Sequence, residues 1–214
     1  MRRGMRLRLT VVLAILLHVS VGATAELATV RRVSDGDTVE LADGRSIRYI
    51  GVNTPEIDHA QKTADPFGRE ARAFNAGLVG GKVVRLEFDP ERQDGYGRTL
   101  AYVFLPDGSM VNERLLQAGL AYCFYKLPNT RYEQRLLAAQ RRAMQEGRGM
   151  WRNWHEKEAR YTGNAGTRRF HRSGCSEARR MSARNRVYFK SRWDAFLAGY
   201  APSRECLPQG HVSR

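Results

Sequence analysis

The chain has 214 residues, with 36 lysines and arginines against 22 acidic residues and a formal net charge of +14. This length has room for one ordinary domain and a smaller companion. Residues 160–214 carry 12 basic and three acidic residues, and the first eight residues carry four arginines. The middle of the chain is therefore nearly neutral. A uniformly basic catalytic domain is thereby excluded, and electrostatic attraction to a polyanion must come mainly from the tail.

The N-terminus has the pattern of a secretory signal. Four arginines in the first eight residues precede an apolar run over 9–17, and small residues follow at 23–25. The alternative is an uncleaved membrane anchor, but His18 interrupts a run that is already shorter than the roughly 20 residues needed to cross a bilayer. We expect residues 1–25 to be a signal peptide cleaved before Glu26, and the protein to be exported, either to a periplasm or out of the cell.

Alternating apolar residues and turn signals predict five short strands in the segment that follows. Apolar residues at helical spacing predict two helices, and a Thr-x-x-Glu capping box predicts a third. Five short strands with helices between and after them fit a small Greek-key barrel in a domain over residues 26–158. The strands lie near 28–33, 38–41, 45–52, 83–88 and 99–105, and the helices near 69–78, 111–117 and 130–145.

The composition changes after this domain. Trp151 and Trp154 are expected to pack back on its core. Residues 159–167 are rich in Gly, Asn, Ala and Thr, which predicts a linker. Residues 168–214 contain two histidines, two cysteines and a capped short helix near 191–198, which indicates a small basic α+β module.

Polar residues in the barrel segment suggest chemistry on phosphodiesters. They are the run Asp-Gly-Asp-Thr at 35–38, then Arg48, residues 51–56 and Arg98. Each alone has an ordinary interpretation: Asp-Gly is typical of a hairpin turn, Arg48 alternates with apolar neighbours as an exposed strand residue does, Arg98 can simply flank a hairpin, and Glu56 can be a first-turn carboxylate. Together they supply the carboxylates, amide and paired arginines that metal-assisted attack on a phosphodiester requires.

The order and spacing of these motifs resemble the staphylococcal nuclease, or thermonuclease, family. The similarity includes Asp-Gly-Asp-Thr, Arg48, the segment Val-Asn-Thr-Pro-Glu at 52–56, and Tyr-Gly-Arg at 96–98, and it runs from about residue 28 to 154. The resemblance implies a five-stranded oligonucleotide-binding (OB) barrel with three helices. It also implies that the tail is a Cys/His module of the kind that trails exported bacterial nucleases.

The resemblance implies a calcium site. Asp37 corresponds to a direct ligand, Asn53 to the second ligand position, and the Thr54 backbone carbonyl lies nearby. Many relatives have an aspartate where this chain has Asn53, which supplies an oxygen but no charge. We therefore expect weaker calcium binding unless another carboxylate such as Asp35 compensates.

The resemblance also implies the catalytic roles. Glu56 corresponds to the base that activates water, and Arg48 and Arg98 to a clamp on the scissile phosphate. Tyr96 is placed to touch a substrate phosphate. Tyr125 is the expected stacking residue for a base, with Phe124 as its rival because the segment 122–127 is one residue shorter than usual in the family.

The cysteines allow two interpretations. Cys123 lies in an apolar run and is expected to be a buried thiol. Cys175 and Cys206 bracket the tail module, where His171 and Cys175 have metal-ligand spacing, but Ser203 stands where a fourth zinc ligand would be needed. A disulfide between Cys175 and Cys206 is favoured in an exported protein.

The sequence thus predicts an exported, calcium-dependent nuclease that hydrolyses DNA and RNA with little selectivity and leaves 3′-phosphate products. Its interaction with nucleic acid should be salt-sensitive, and we expect a monomer without an obligate protein partner. The alternative is a non-catalytic OB-fold nucleic-acid-binding protein of the cell envelope. Retention of Arg48, Glu56 and Arg98 together argues against it.

Overall fold

The computed structural model describes residues 25–57, 64–156 and 159–207. The predicted signal peptide, except for its last residue, and part of the loop after Glu56 lie outside the described residues. Within the described ranges, no helix is both long enough and apolar enough to span a bilayer.

Strands from the first half of the chain form a closed barrel with the order β1-β2-β3-β6-β5. Neighbours are antiparallel except β3 and β6, which run parallel. This confirms the predicted five-stranded barrel of the OB type. The first seven strands are β1 (Ala25–Asp35), β2 (Thr38–Leu41), β3 (Ser46–Tyr49), β4 (Gly51–Asn53), β5 (Val83–Glu87), β6 (Thr99–Phe104) and β7 (Tyr122–Phe124).

The strand predicted over residues 45–52 is two strands in the structure. Gly51 has a φ of 79°, a conformation that favours glycine and that breaks the extended run between β3 and β4. β4 leaves the barrel and pairs antiparallel with β7, with Asn53 opposite Tyr122. The break thus moves the chain from the β6 partner of β3 to the β7 partner of β4, which lies outside the barrel.

Three helices accompany the barrel: α1 (Gly68–Val79), α2 (Val111–Gln117) and α3 (Glu133–Gln145). The capping box predicted at Thr130 is wrong, because α3 begins three residues later and Tyr132 occupies the N-cap position. The Tyr132 hydroxyl donates to Glu87 Oε2 at 2.6 Å and its ring packs edge-on against Tyr102. Tertiary packing therefore sets where this helix begins.

The C-terminal unit is a four-stranded sheet with the order β10-β8-β9-β11. Its elements are β8 (Tyr161–Asn164), β9 (Arg169–Arg172), α4 (Ser176–Arg180), β10 (Arg186–Phe189), α5 (Arg192–Leu197) and β11 (Ala201–Pro202).

The predicted linker at 159–167 is wrong, because β8 is an inner strand of this sheet. Gly163 is required there for close packing rather than for flexibility. A Cβ at this position would lie 2.7 Å from the Phe189 ring and 2.8 Å from the Tyr200 ring. Gly and Thr in this segment thus belong to a packed sheet, and composition alone gave the opposite prediction.

The two units share a hydrophobic core. Trp151, which follows α3, and Phe196 from α5 are 2% and 1% exposed, and their ring centroids lie 5.1 Å apart. Buried Gln140 of α3 also connects the two units. Its Oε1 accepts a hydrogen bond from Cys123 N at 2.6 Å, and its Nε2 donates one to Phe196 O at 2.5 Å. Trp151 and Trp154 pack on this core as predicted, and the C-terminal unit is not an independent appendage.

Phe196→Ala should destabilise the whole protein. Truncating a fully buried phenylalanine costs about 3–5 kcal/mol, and because the core is shared, we expect one unfolding transition shifted to lower denaturant concentration by both tryptophan fluorescence and circular dichroism. Tyr188→Ala is the matched control, since Tyr188 is 70% exposed. Two separate transitions, with only the smaller one moved, would show that the units fold independently.

Candidate active site

The Asp-Gly-Asp turn connects β1 to β2 at the mouth of the barrel. Gly36 packs so closely that a Cβ would lie 2.7 Å from Thr54 Oγ1 and 2.8 Å from Ala71 Cβ. Asn75 of α1 supports the turn from below by donating to Asp35 O at 3.3 Å. The turn is thus held against both the β4 segment and α1, which fixes the direction of its two carboxylates.

Asp37 is buried, and both oxygens of its carboxylate have partners. Oδ2 accepts a hydrogen bond from Thr54 N at 2.9 Å and lies 3.0 Å from Arg48 Nη2. Oδ1 accepts from the Thr38 hydroxyl at 3.1 Å. These contacts provide hydrogen-bond and ion-pair partners for a carboxylate whose side chain is only 6% exposed.

Arg48 lies on β3 opposite Thr38 of β2 and points into the site rather than to solvent. Its Nη1 donates to the backbone carbonyls of Tyr49 and Val52 at 2.7 and 2.9 Å. Its Nη2 contacts Asp37 and donates to Asn53 Oδ1 at 2.9 Å. The alternative interpretation of Arg48 as a solvated strand residue is therefore wrong, since its side chain is 11% exposed.

Asn53 is held on both sides of its amide. While Oδ1 accepts from Arg48, Nδ2 donates to the Thr54 carbonyl at 3.0 Å and to the Tyr122 hydroxyl at 2.9 Å. The Oδ1 atom and the Thr54 carbonyl each retain a second lone pair. The amide is thus fixed in one orientation next to the carboxylates of the turn.

The carboxylates concentrate negative charge at this point. Burial, the neighbouring Asp37 carboxylate and the more distant Glu56 raise the pKa of Asp35 to about 6. Asp35, Asp37 and Asn53 line the same cavity, and their side-chain oxygens are of the kind that bind metal ions. A hard divalent cation would relieve this repulsion and prefers such oxygen ligands, so the donor set fits a calcium-like ion.

Glu56 lies three residues beyond β4 and lines the same cavity. Its backbone exchanges hydrogen bonds with Asp65, and Gly68 at the start of α1 packs directly on its carbonyl. The carboxylate is partly exposed, and Oε1 lies 3.2 Å from Arg204 Nη2. The structure thus presents Glu56 to the cavity with an arginine of the C-terminal unit as its partner.

Arg98 precedes β6 and is oriented by Asp94. The Asp94 carboxylate accepts from Arg98 Nε at 2.8 Å and from the backbone N–H of Tyr96 and Arg98 at 3.0 and 3.1 Å. Burial alone would raise the pKa of Asp94, but these hydrogen bonds outweigh it and hold the pKa below its usual value. Tyr96 is 84% exposed, and its ring lies 5.4 Å from the Arg98 guanidinium.

Tyr125 does not face the cavity. It is 4% exposed, and its hydroxyl lies 2.9 Å from Glu133 O and 3.1 Å from Cys123 Sγ. This burial contradicts the expected stacking role. The rival Phe124 does line the cavity, but the guanidinium of Arg169 covers its ring at 3.6 Å.

One cavity of about 1180 Å³ joins most of these side chains. The barrel supplies one wall and the C-terminal unit the other. Among the predicted residues, the cavity brings together Asp37, Arg48, Asn53, Glu56, Tyr96 and Arg98. Sequence reasoning missed Asp94, Arg169 and Arg204, since nothing in the local pattern distinguishes these residues from other charged residues of the chain.

The cysteine and histidine residues meet at the edge of this second wall. Cys175 and Cys206 are joined by a disulfide, with their Cα atoms 6.1 Å apart, and Cys123 is a buried thiol. His171 Nδ1 lies 3.3 Å from Cys206 Sγ, and burial lowers the pKa of its imidazole. The bridge fixes the segment that carries Arg204 to the start of α4.

Comparison with known proteins agrees with this geometry. A profile of the family described as Staphylococcal nuclease homologue matches residues 46–153. The thermonucleases of Staphylococcus hyicus and Staphylococcus intermedius are 40% and 39% identical over 113 and 105 residues, which cover 52% and 49% of this chain. The endonuclease YncB of Bacillus subtilis is 38% identical over 108 residues, 50% of this chain and 51% of that protein.

The chain covers somewhat less than two thirds of the two thermonucleases, 66% and 62% of their respective lengths. The residues that the family profile matches contain β3, β4, the three helices, Glu56 and Arg98. The family profile covers half of the chain, and the barrel topology is the one the resemblance implied. The chain therefore belongs to the staphylococcal nuclease family.

Proposed function

We propose that this protein is an exported, calcium-dependent nuclease that hydrolyses phosphodiester bonds of DNA and RNA. The observation that carries the proposal is the meeting of Asp37, Arg48, Asn53, Glu56 and Arg98 in one cavity. Relatives named thermonuclease and endonuclease support the reaction class. The 3′-phosphate polarity of the products rests on the family resemblance alone.

Asp37 and Asn53 would hold the calcium ion, with Asp35 and the Thr54 carbonyl available beside them. When bound, such an ion neutralises charge on phosphoryl oxygens and orients water. The remaining chemistry belongs to the chain. Glu56 has a carboxylate open to the cavity and takes a proton from the attacking water.

Arg98 and Arg48 supply positive charge for the phosphoryl oxygens. Asp94 fixes Arg98 through Nε and Nη2, with distances of 2.8 and 2.7 Å, so that the guanidinium plane is set before substrate binds. Arg48 is locked by backbone carbonyls and by Asp37. Preorganised donors of this kind stabilise the charge that grows in the transition state.

Export is proposed on the arginine-rich, apolar N-terminal segment. The Cys175–Cys206 disulfide supports it, because disulfides persist mainly in oxidising compartments. The nucleic-acid substrates are proposed to bind with little sequence selectivity, with the excess positive charge of the C-terminal unit making binding sensitive to salt.

The direct test is cleavage of plasmid DNA and of RNA by the purified protein, with added calcium and with chelator. We expect cleavage of both substrates in calcium, none in chelator, and 3′-phosphate ends on the products. Binding of nucleic acid without cleavage in calcium would instead support the non-catalytic alternative.

Glu56→Gln should abolish most turnover. Loss of a general base costs about 10²–10⁴ in rate, and the exposed Glu56–Arg204 pair contributes little to stability. Initial rates with saturating oligonucleotide, together with melting curves, measure both effects. Glu70→Gln, on the exposed side of α1, is the matched control. Equal rates for the two variants would remove Glu56 from the mechanism.

Arg98→Lys should lower kcat/KM by about a hundredfold, the usual effect of removing a preorganised donor to the developing charge. Lysine keeps the charge but not the planar fork that Asp94 orients. Arg142→Lys serves as the control, because the Arg142 side chain is 75% exposed on α3. A kcat/KM within twofold of wild type would show that Arg98 is not part of the clamp.

Asn53→Asp should have opposite effects in the absence and presence of calcium. The carboxylate loses two donated hydrogen bonds and faces the Thr54 carbonyl, so in chelator the variant should be about 1–3 kcal/mol less stable than wild type. The added ligand charge should strengthen calcium binding and give a larger rise in Tm on calcium addition. Equal calcium-induced shifts in both proteins would place Asn53 outside the ion's ligands.

A further inference from the structure

The cavity wall supplied by the C-terminal unit contains three arginines that the catalytic assignment leaves without a role. Arg180 is paired with Glu177, which leaves two to explain. Arg169 begins β9 and Arg204 follows β11, and both line the cavity that holds Glu56. Neither arginine belongs to the set of barrel residues assigned to catalysis, so their function needs its own explanation.

Arg169 is an arginine whose charge is not neutralised within the described part of the chain. Its guanidinium lies 3.6 Å from the Phe124 ring and donates to three backbone carbonyls, those of Tyr125, Thr167 and Arg168, at 3.1 to 3.2 Å. No carboxylate of the described ranges forms an ion pair with it. Packing therefore holds a half-buried positive charge at the cavity wall with only neutral partners.

Arg204 follows β11, which pairs in parallel with β9 and has Ala201 opposite Arg169, so both arginines line the same cavity. Burial first, and the positive charge of Arg204 as well, lower the pKa of Arg169 to about 10. Arg204 itself is 61% exposed and pairs with Glu56. Two like charges facing one cavity are stabilised when an anion binds between them.

The other charges of this wall do not remove the excess. Glu177 is paired with Arg180 at 2.5 Å, and Glu205 lies near His171. Arg169 therefore has no acidic partner among the described residues, and Arg204 has only its solvent-exposed pair with Glu56. Both can receive an incoming anion next to the carboxylate that is proposed to activate water.

We propose that Arg169 and Arg204 form a second phosphate-binding subsite, which holds a backbone phosphate of the nucleic acid next to the scissile one. This inference rests on the proposed nuclease function and extends it to the C-terminal unit. A phosphodiester anion that pairs with Arg204 replaces Glu56 as its partner. Binding of a longer strand therefore frees the Glu56 carboxylate at the moment when substrate is in place.

The test is binding of a fluorescent single-stranded octanucleotide to the full chain in chelator, across a range of salt concentrations. Each lost phosphate contact should make the slope of log affinity against log salt shallower by about 0.7. We expect this change in Arg169→Gln and in Arg204→Gln. Arg184→Gln loses the same charge from an exposed position outside the cavity and should keep the wild-type slope.

Wild-type slopes in both Arg169→Gln and Arg204→Gln would overturn the proposal. Melting curves show whether Arg169→Gln folds. If it does not, Arg204→Gln carries the test, because the Arg204 side chain is largely solvent-exposed. Cleavage by the wild-type protein is measured separately. If the wild type cleaves and both variants keep the wild-type slope, only the subsite proposal fails. If the slopes change but the wild type does not cleave, only the proposed catalytic function fails.

A double-mutant cycle tests the exchange of partners. If phosphate and Glu56 compete for Arg204, then Glu56→Gln should raise octanucleotide affinity more in the wild-type background than in Arg204→Gln. Equal gains in the two backgrounds would reflect only the loss of a nearby negative charge, and would overturn the competition.

Discussion

The arrangement of the site depends on the burial of the Arg48 guanidinium. A charge at this depth is tolerated only with partners on every side. Two backbone carbonyls satisfy one terminal nitrogen, and Asp37 and Asn53 satisfy the other. The contacts that stabilise the arginine also fix the two side chains proposed to hold the metal. The same contacts therefore stabilise the fold and set the geometry of the site, which explains why the turn, β3 and β4 converge at this point.

Much of the barrel could be predicted from local pattern, because alternation and glycine turns report directly on half-buried strands. The spacing of Asp37, Arg48, Glu56 and Arg98 identified the members of the site. Local pattern could not predict which of the Tyr125 and Phe124 side chains points toward the cavity. Adjacent residues of an extended segment point to opposite faces, and only the pairing of β7 with β4 decides which face meets the cavity.

The sequence also could not reveal how the C-terminal unit is used. Gly163 looked flexible because composition does not show that two aromatic rings lie against it. Arg204 and Glu56 are separated by 148 residues, and no local spacing connects them. The shared core around Trp151 and Phe196 is likewise a product of docking between units, and each tryptophan was predicted only as a buried anchor.

The pairing of Glu56 with Arg204 has a consequence for the order in which the site forms. Contacts between distant residues form late, because the intervening chain must first be closed into a loop. A ribosome must add nearly 150 residues after Glu56 before its partner exists. A nascent barrel therefore has the Glu56 carboxylate without the opposing wall, and the cleft has both walls only after the C-terminal unit has been made.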